Sequence, residues 1–220
     1  MDDNKVAGYL SMHPEFFERH ADLLAQLIIP DPHNGQAISI TERQIAALRE
    51  KSRQLEAKLA ELIRFGEEND AISDKMHYLA LALMGAGDFA SVLRALYSHL
   101  GGAFAVPHVA LRLWDVAVVD GLADQAEFAA VSGEAKSFAT ALSRPYCGPG
   151  GGLEIPSWFG ERGAQVRSLA LMPLKRGNET IGLLALGSEE TQRFYPEMGA
   201  LFLVRIGDMA GAALLRALRK

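Results

Sequence analysis

Cysteine occurs once in this 220-residue chain, at Cys147, and a lone thiol cannot close an internal disulfide. Aromatic residues make up only 8%, so the core must be built mainly from aliphatic side chains. No charge sign dominates: 27 acidic against 22 basic residues give a net charge of −5. That balance lacks the broad positive field that nucleic acid or an anionic lipid surface attracts. Long apolar runs are missing as well. The longest stretch without Asp, Glu, Lys or Arg covers 95–111 and is broken by Gly101, Gly102 and Pro107, whereas a bilayer span needs about 20 apolar residues. The start of the chain, Met1 to Lys5, lacks the basic and apolar regions of a signal peptide. Together with the single cysteine it points to a reducing cytoplasm. Patterns for a P-loop, a nucleophile elbow and a helical zinc protease are absent.

The 49% apolar content is nonetheless enough for one good core with some left over. Residues 1–38 read as a helical segment: Val6, Leu10, Phe16, Phe17, Leu23, Leu24 and Leu27 fall at helical spacing, and Pro30, Pro32 and Asn34-Gly35 end it in a loop. Ser39 and Glu42 then have the spacing of a capping box.

A long helix over 39–86 is expected to follow. Ile45, Leu48, Ser52, Leu55, Leu59 and Leu62 recur in alternating steps of three and four, the seam of a coiled coil or of a helical hairpin, with charges on the other faces. The same phase continues onto Gly66 and Asn69, and the apolar positions resume one step early at Ile72, Met76, Leu79 and Leu83. A three-residue step of this kind is a stammer. Polar Ser52 and Asn69 on the stripe would weaken association while fixing its register.

Gly85 and Gly87 stop this helix and Asp88 caps the next, over Phe89, Val92, Leu93, Leu96 and Leu100. From there the pattern is α+β. Residues 103–114 read as a strand, 116–119 as a strand or loop, 126–131 as a short strand and 134–142 as a helix. Gly148, Gly150, Gly151 and Gly152 form a loop, and Ser157 to Glu161 make one helical turn. Two apolar strands, 168–174 and 180–187, join through a turn at Gly177, and their lack of strict alternation indicates a sheet covered on both faces. Pro196 opens a final helix carrying Leu201, Leu203, Ile206, Met209, Ala213 and Leu214.

The hairpin of 168–174 and 180–187, with Phe194 and the closing helix, resembles the end of a GAF domain. Further residues narrow the resemblance: Tyr9-Leu10, His13 to Phe17, Pro32 to Gly35, Ser39 to Gln44, and Tyr146-Cys147-Gly148. Together they resemble the bacterial domain-of-unknown-function family 484 over nearly the whole chain. The resemblance implies an α+β fold: a GAF-like central antiparallel sheet of five or six strands over 87–220, flanked by helices and preceded by the helical segment and a coiled-coil helix. It implies no known reaction, and a fold does not fix a function.

Candidate site residues follow from the same pass. Trp114, Tyr146, Cys147, Trp158, Phe159 and Met172 are candidates to line an apolar ligand pocket beneath the glycine loop, with ordinary core as the alternative. Cys147 is either a reactive thiol or a small buried residue, since no lysine or histidine adjoins it in sequence. His13 and His20, seven apart, are the nearest approach to a metal-binding spacing, and surface or packed histidines explain them. No metal, haem or bilin is expected. The seam at Ile45, Leu48, Leu55, Leu59, Leu62, Asn69, Ile72 and Met76 predicts a parallel homodimer, with folding back onto the N-terminal helices as the alternative. The leading functional expectation is a dimeric cytoplasmic ligand-sensing or regulatory adaptor without catalysis, with an unidentified small molecule and protein partner and no nucleic acid or membrane. The alternatives are a structural scaffold without ligand and a thiol enzyme using Cys147.

Overall fold

The computed structural model describes residues 2–26, 28–30, 37–117, 121–150 and 152–219, and of 24–26, 28–30 and 37–42 the backbone alone. The chain divides into two compact units, Met1–Glu68 and Asn69–Lys220. The division falls inside one long helix rather than at its ends.

The first unit begins with three short helices, α1 (Asp3–Met12), α2 (Glu15–Arg19) and α3 (Ala21–Gln26). Asp2 caps α1 by accepting a hydrogen bond from the Asn4 N–H, and Pro14, which has no N–H to satisfy, precedes α2. No residue of α1 or α2 is buried, and Val6, Tyr9 and Met12 are exposed. Where the prolines predict a loop, the flanking residues pair as two short antiparallel strands, β1 (Ile28–Pro30) and β2 (Ala37–Ser39). Residues 31–36 and the side chains of the expected capping box at Ser39 and Glu42 lie outside the described residues.

Helix α4 spans Ile40–Gly85, as the stripe predicts. No proline interrupts it, and i,i+4 pairs such as Ser52 with Glu56 and Arg64 with Glu68 support its surface; such pairs are worth about 0.2–0.5 kcal/mol each. Its two apolar stretches have different fates. Ile45, Leu48, Leu55, Leu59 and Leu62 are 44–66% exposed. Met76, Leu79 and Leu83 are buried in the core of the second unit, with Ile72 packed against that core. The stammer therefore lies between an uncovered stripe and one already used within the chain.

In the second unit, α5 (Phe89–Ser98) begins at a capping box in which Asp88 accepts from the Ser91 N–H at 2.7 Å and the Ser91 hydroxyl accepts from the Asp88 N–H. A π-helical turn, His99–Ala103, leads into β3 (His108–Leu113). Helix α6 (Gly133–Ala141), capped by Ser132, precedes β4 (Tyr146–Gly148). A 3-10 segment, Ile155–Gln165, is kinked at Gly160. Strands β5 (Ser168–Arg176) and β6 (Glu179–Ser188) form the expected hairpin, with Gly177 at φ 65° in the turn. Helix α7 (Leu201–Leu218) closes the fold.

The described strands of this unit form one antiparallel sheet in the order β3-β6-β5-β4, four strands where five or six are expected. The difference arises before α6: Ala126–Phe128 is a 3-10 turn, not a strand, and residues 118–119 of the other candidate are not described. Helix α7 starts at Leu201 rather than at Pro196, because a turn from the Met198 N–H to the Tyr195 carbonyl intervenes.

Register gives the sheet two covered faces. Val109, Leu111 and Leu113 of β3 align with Leu186, Leu184 and Gly182 of β6 and with Ala170, Met172 and Leu174 of β5, on the side of α5, α7 and the end of α4. Leu183 and Ala185 with Leu169 and Leu171 face the other way, toward α6 and the 3-10 segment. At Gly182 a Cβ would lie 2.6 Å from the Arg112 carbonyl oxygen, so only glycine fits between the strands.

Candidate functional site

The alternation of β4 decides how the candidate pocket residues are distributed. Successive side chains of a strand point to opposite faces: Tyr146 pairs with Leu171 on one side and Cys147 with Ala170 on the other. Trp114, Tyr146, Trp158 and Phe159 accordingly belong to the core on the α6 face, while Cys147 and Met172 belong to the core beneath α7. The sheet itself separates the six into two groups.

The α6 face is filled rather than open where these aromatics sit. The Phe159 ring packs on Gly187, where a Cβ would lie 3.0 Å from it, and its centroid is 5.7 Å from that of His108. The Arg112 guanidinium lies 5.3 Å from the Trp158 centroid, a cation–π contact. The Trp114 indole donates to the Thr180 carbonyl at 3.0 Å, and Lys136 sits over its ring.

The glycine loop is packed down as well. The Tyr146 hydroxyl donates to the Pro149 carbonyl at 2.8 Å and lies 2.8 Å from the position a Gly148 Cβ would take. At Gly150, Leu169 would lie 2.9 Å from such an atom. These glycines are needed for close approach instead of leaving space above the sheet.

Space exists at the sheet edge. A cleft of about 350 Å3 is lined by Ala141, Leu142, Ser143, Arg144, Pro145, Tyr146, Cys147 and Pro196. A smaller one, about 90 Å3, shares Ser143, Arg144 and Pro145 and reaches Met172, Lys175 and Asp208. Tyr146, Cys147 and Met172 thus line adjoining clefts, away from Trp114, Trp158 and Phe159. Arg144 is exposed at the join and supplies a positive charge. Burial pushes the Cys147 thiol above its ordinary pKa, with Arg144 opposing the shift, so the neutral thiol is favoured over the nucleophilic thiolate. Burial also raises Tyr146, with Cys147 adding to the shift.

Sequence reading missed a polar cluster at the outer edge of β3. Tyr97 donates to the buried Glu127 carboxylate at 2.7 Å. Burial, then Glu127, raises the Tyr97 pKa well above the ordinary phenol range. Arg112 donates to the Leu111 carbonyl while its Nε has no hydrogen-bond partner among the described residues. The available signal was a lone arginine in the otherwise apolar run from Val109 to Trp114.

The histidines do not converge. His13 Nδ1 is 2.9 Å from Glu15 Oε1, and His20 stacks on Phe16. Among the described residues no group of three or more His, Cys, Asp or Glu is placed to hold a metal, and no helix is long and apolar enough to cross a membrane.

Comparison with known proteins gives a family. A family model described as "Protein of unknown function, DUF484" matches residues 1–216. A Salmonella typhimurium protein, "Uncharacterized protein YigA", is 24% identical over 224 residues, covering 100% of this chain and 94% of its own. A Shigella flexneri protein of the same description is 31% identical over 93 residues, 42% of this chain and 39% of its own. Among solved structures, the GAF domain of A. Aeolicus nlh2 in an inactive state aligns with a TM-score of 0.45 and 19% identity, over 69% of this chain and 99% of that one.

Proposed function

The chain belongs to the DUF484 family, and we propose that it acts there as a dimeric, non-catalytic regulatory adaptor of the cytoplasm, with a GAF-like sensing domain. One observation carries this reading. The stripe at Ile45, Leu48, Leu55, Leu59 and Leu62 is exposed on α4, whereas the later stripe of the same helix is buried in its own domain. An apolar stripe at coiled-coil spacing flanked by charge is the signature of a partner helix. None of α1 or α2 is buried against it.

The occupant we assign is a second copy in parallel register. With Ile45 and Leu59 at heptad position a, and Leu48, Leu55 and Leu62 at d, Lys51 falls at g and Glu56 at the following e. A g side chain of one strand meets the next e of the other in a parallel pair, so Lys51 and Glu56 attract across the dimer, twice by symmetry. The cleft beside Arg144, Tyr146 and Cys147 is the candidate small-molecule site, and the output passes through a protein partner. The raised Cys147 pKa speaks against a thiol enzyme, and the reading needs no metal, haem or bilin.

A scaffold without ligand is the second reading, favoured by the packed sheet face under Trp158 and Phe159. Sedimentation of the full chain beside Leu55→Asp/Leu59→Asp tests the dimer. A wild-type dimer that becomes monomeric in the variant supports it, and a monomeric wild type overturns it. Thermal shift against small carboxylates and phosphates, with Arg144→Ala as the control, separates sensor from scaffold.

A further inference from the structure

Gly66 lies inside α4, more than a dozen residues from either end. Glycine within a helix is less favourable than alanine by about 1 kcal/mol. Among the described residues nothing explains the choice: a Cβ on Gly66 would have no neighbour within 4 Å. Phe65 beside it is 44% exposed and Ile63 is 54% exposed. This helix thus carries an open notch next to a partly exposed aromatic ring.

We propose that the notch at Gly66 receives Phe65 of a second copy, so that the dimer interface runs past Leu62 to the stammer. The inference rests on the parallel dimer argued above. In that register Gly66 is the a position following Leu62, and Phe65 is the g position immediately before it. Each a position in a parallel coiled coil faces a hole of four partner residues, here including the partner's g and a residues. At Gly66 no knob fills that hole. A flanking phenylalanine folds across the gap, and each copy offers both parts, so the contact is made twice. The same ring would be blocked by any large residue at 66. Among the described residues the Phe65 ring is contacted on one face by the Arg64 guanidinium, 5.0 Å from its centroid, and the other face is offered to the partner.

The alternative treatment of Gly66, as an ordinary weak a position, makes the opposite forecast for one substitution. Leucine at an ordinary a position strengthens a coiled coil, whereas leucine in an occupied notch displaces the ring. The dimer dissociation constant of the full chain is therefore measured by sedimentation equilibrium for wild type, Phe65→Ala, Gly66→Leu and the double variant. Phe65→Ala is expected to weaken the dimer by about tenfold or more, since exposed apolar area in the monomer is buried twice. Gly66→Leu is expected to weaken it too. In the double variant leucine fills the space the ring has left, which brings affinity back toward wild type and gives a non-additive cycle. A tighter dimer in Gly66→Leu, or an unchanged one in Phe65→Ala, overturns the notch while leaving the dimer standing. Oxidative cross-linking of Leu62→Cys between copies, with wild type as the control for Cys147, reports the parallel register independently. Its failure in a dimer that still sediments as one overturns the register, and with it the notch.

Discussion

The Tyr97 hydroxyl donates a 2.7 Å hydrogen bond to the carboxylate of Glu127, thirty positions later. It ties the end of α5 to the 3-10 turn against β3. Glu127 is 8% exposed, and burying a carboxylate is costly unless donors satisfy it. Replacing Tyr97 by phenylalanine removes the donor and keeps the ring. The expected loss is about 1.5–3 kcal/mol, the range for hydrogen bonds to charged groups. Urea denaturation measures it, and Glu127→Gln in the Tyr97→Phe background should recover part of it because a neutral amide is less costly to bury.

Tyr97 also sets a direction for pH dependence. Its pKa is raised in the folded protein, first by burial and then by Glu127. The folded state therefore holds the phenol proton more tightly than the unfolded state does. The stabilisation is complete below the ordinary phenol pKa of about 10 and declines as pH rises above it. Cys147 acts in the same sense from its own lower ordinary value of about 9. Denaturation midpoints are expected to fall as pH is raised from 8 to 11, and to fall less in Tyr97→Phe. Equal slopes in the two proteins would refute the assignment.

Arg216 of α7 donates to three carbonyls at the end of α4 and just beyond it: Leu83 at 2.7 Å, Ala86 at 2.8 Å and Met84 at 3.4 Å. Carbonyls in the last turn of a helix lack intrahelical donors, so side-chain donors there are stabilising. Arg216→Met keeps the stem and removes all three bonds. A loss of about 1–3 kcal/mol is expected, with protease sensitivity appearing around residues 83–87. Arg216→Lys should recover less than half, because an ammonium lacks the fork that reaches several oxygens together.

Gly182 admits no side chain. The nearest atom to an added Cβ is the Arg112 carbonyl of the neighbouring strand, and backbone in the middle of a sheet cannot move aside without losing its ladder. Gly182→Ala is expected to cost at least about 2 kcal/mol, read as a lower thermal midpoint. Gly66→Ala, by contrast, should leave the folded monomer intact.

Cys147 should behave as a core residue. In the native protein its alkylation by iodoacetamide is expected to be much slower than in urea, since both burial and a raised pKa withhold the thiolate. Alkylation at the unfolded rate under native conditions would bring the thiol-enzyme alternative back.

Local signals were the legible part of this fold. Asp88 before an amphipathic stretch marked the start of α5, and Gly177 between two apolar runs marked the β5–β6 turn at a position that adopts positive φ. The length of α4 could be read from its stripe, but its two fates could not: periodicity shows that one face is apolar and not what covers it. The grouping of the candidate pocket residues was hidden for a related reason. Tyr146 and Cys147 are neighbours in sequence, and strand alternation sends them into different cores. The Tyr97–Glu127 pair was invisible because the two groups are thirty positions apart and meet only once the chain between them has folded. The glycine loop suggested vacancy by its small side chains, while those glycines permit contact with Tyr146, Pro156 and Leu169.

The sheet order has a consequence for how the protein behaves in concentrated solution. Open strand edges are templates on which other chains polymerise. One edge here is β4, only three residues long and bracketed by Pro145 and Pro149, which offer no amide hydrogen to an incoming strand. The other is β3, preceded by Pro107, with the 3-10 turn of Ala126–Phe128 and the Tyr97 side chain laid against it. Neither border is an easy place to add a strand. Strand addition at this sheet is thereby discouraged, and recognition between copies through this unit falls to side chains on its helices rather than to the peptide backbone.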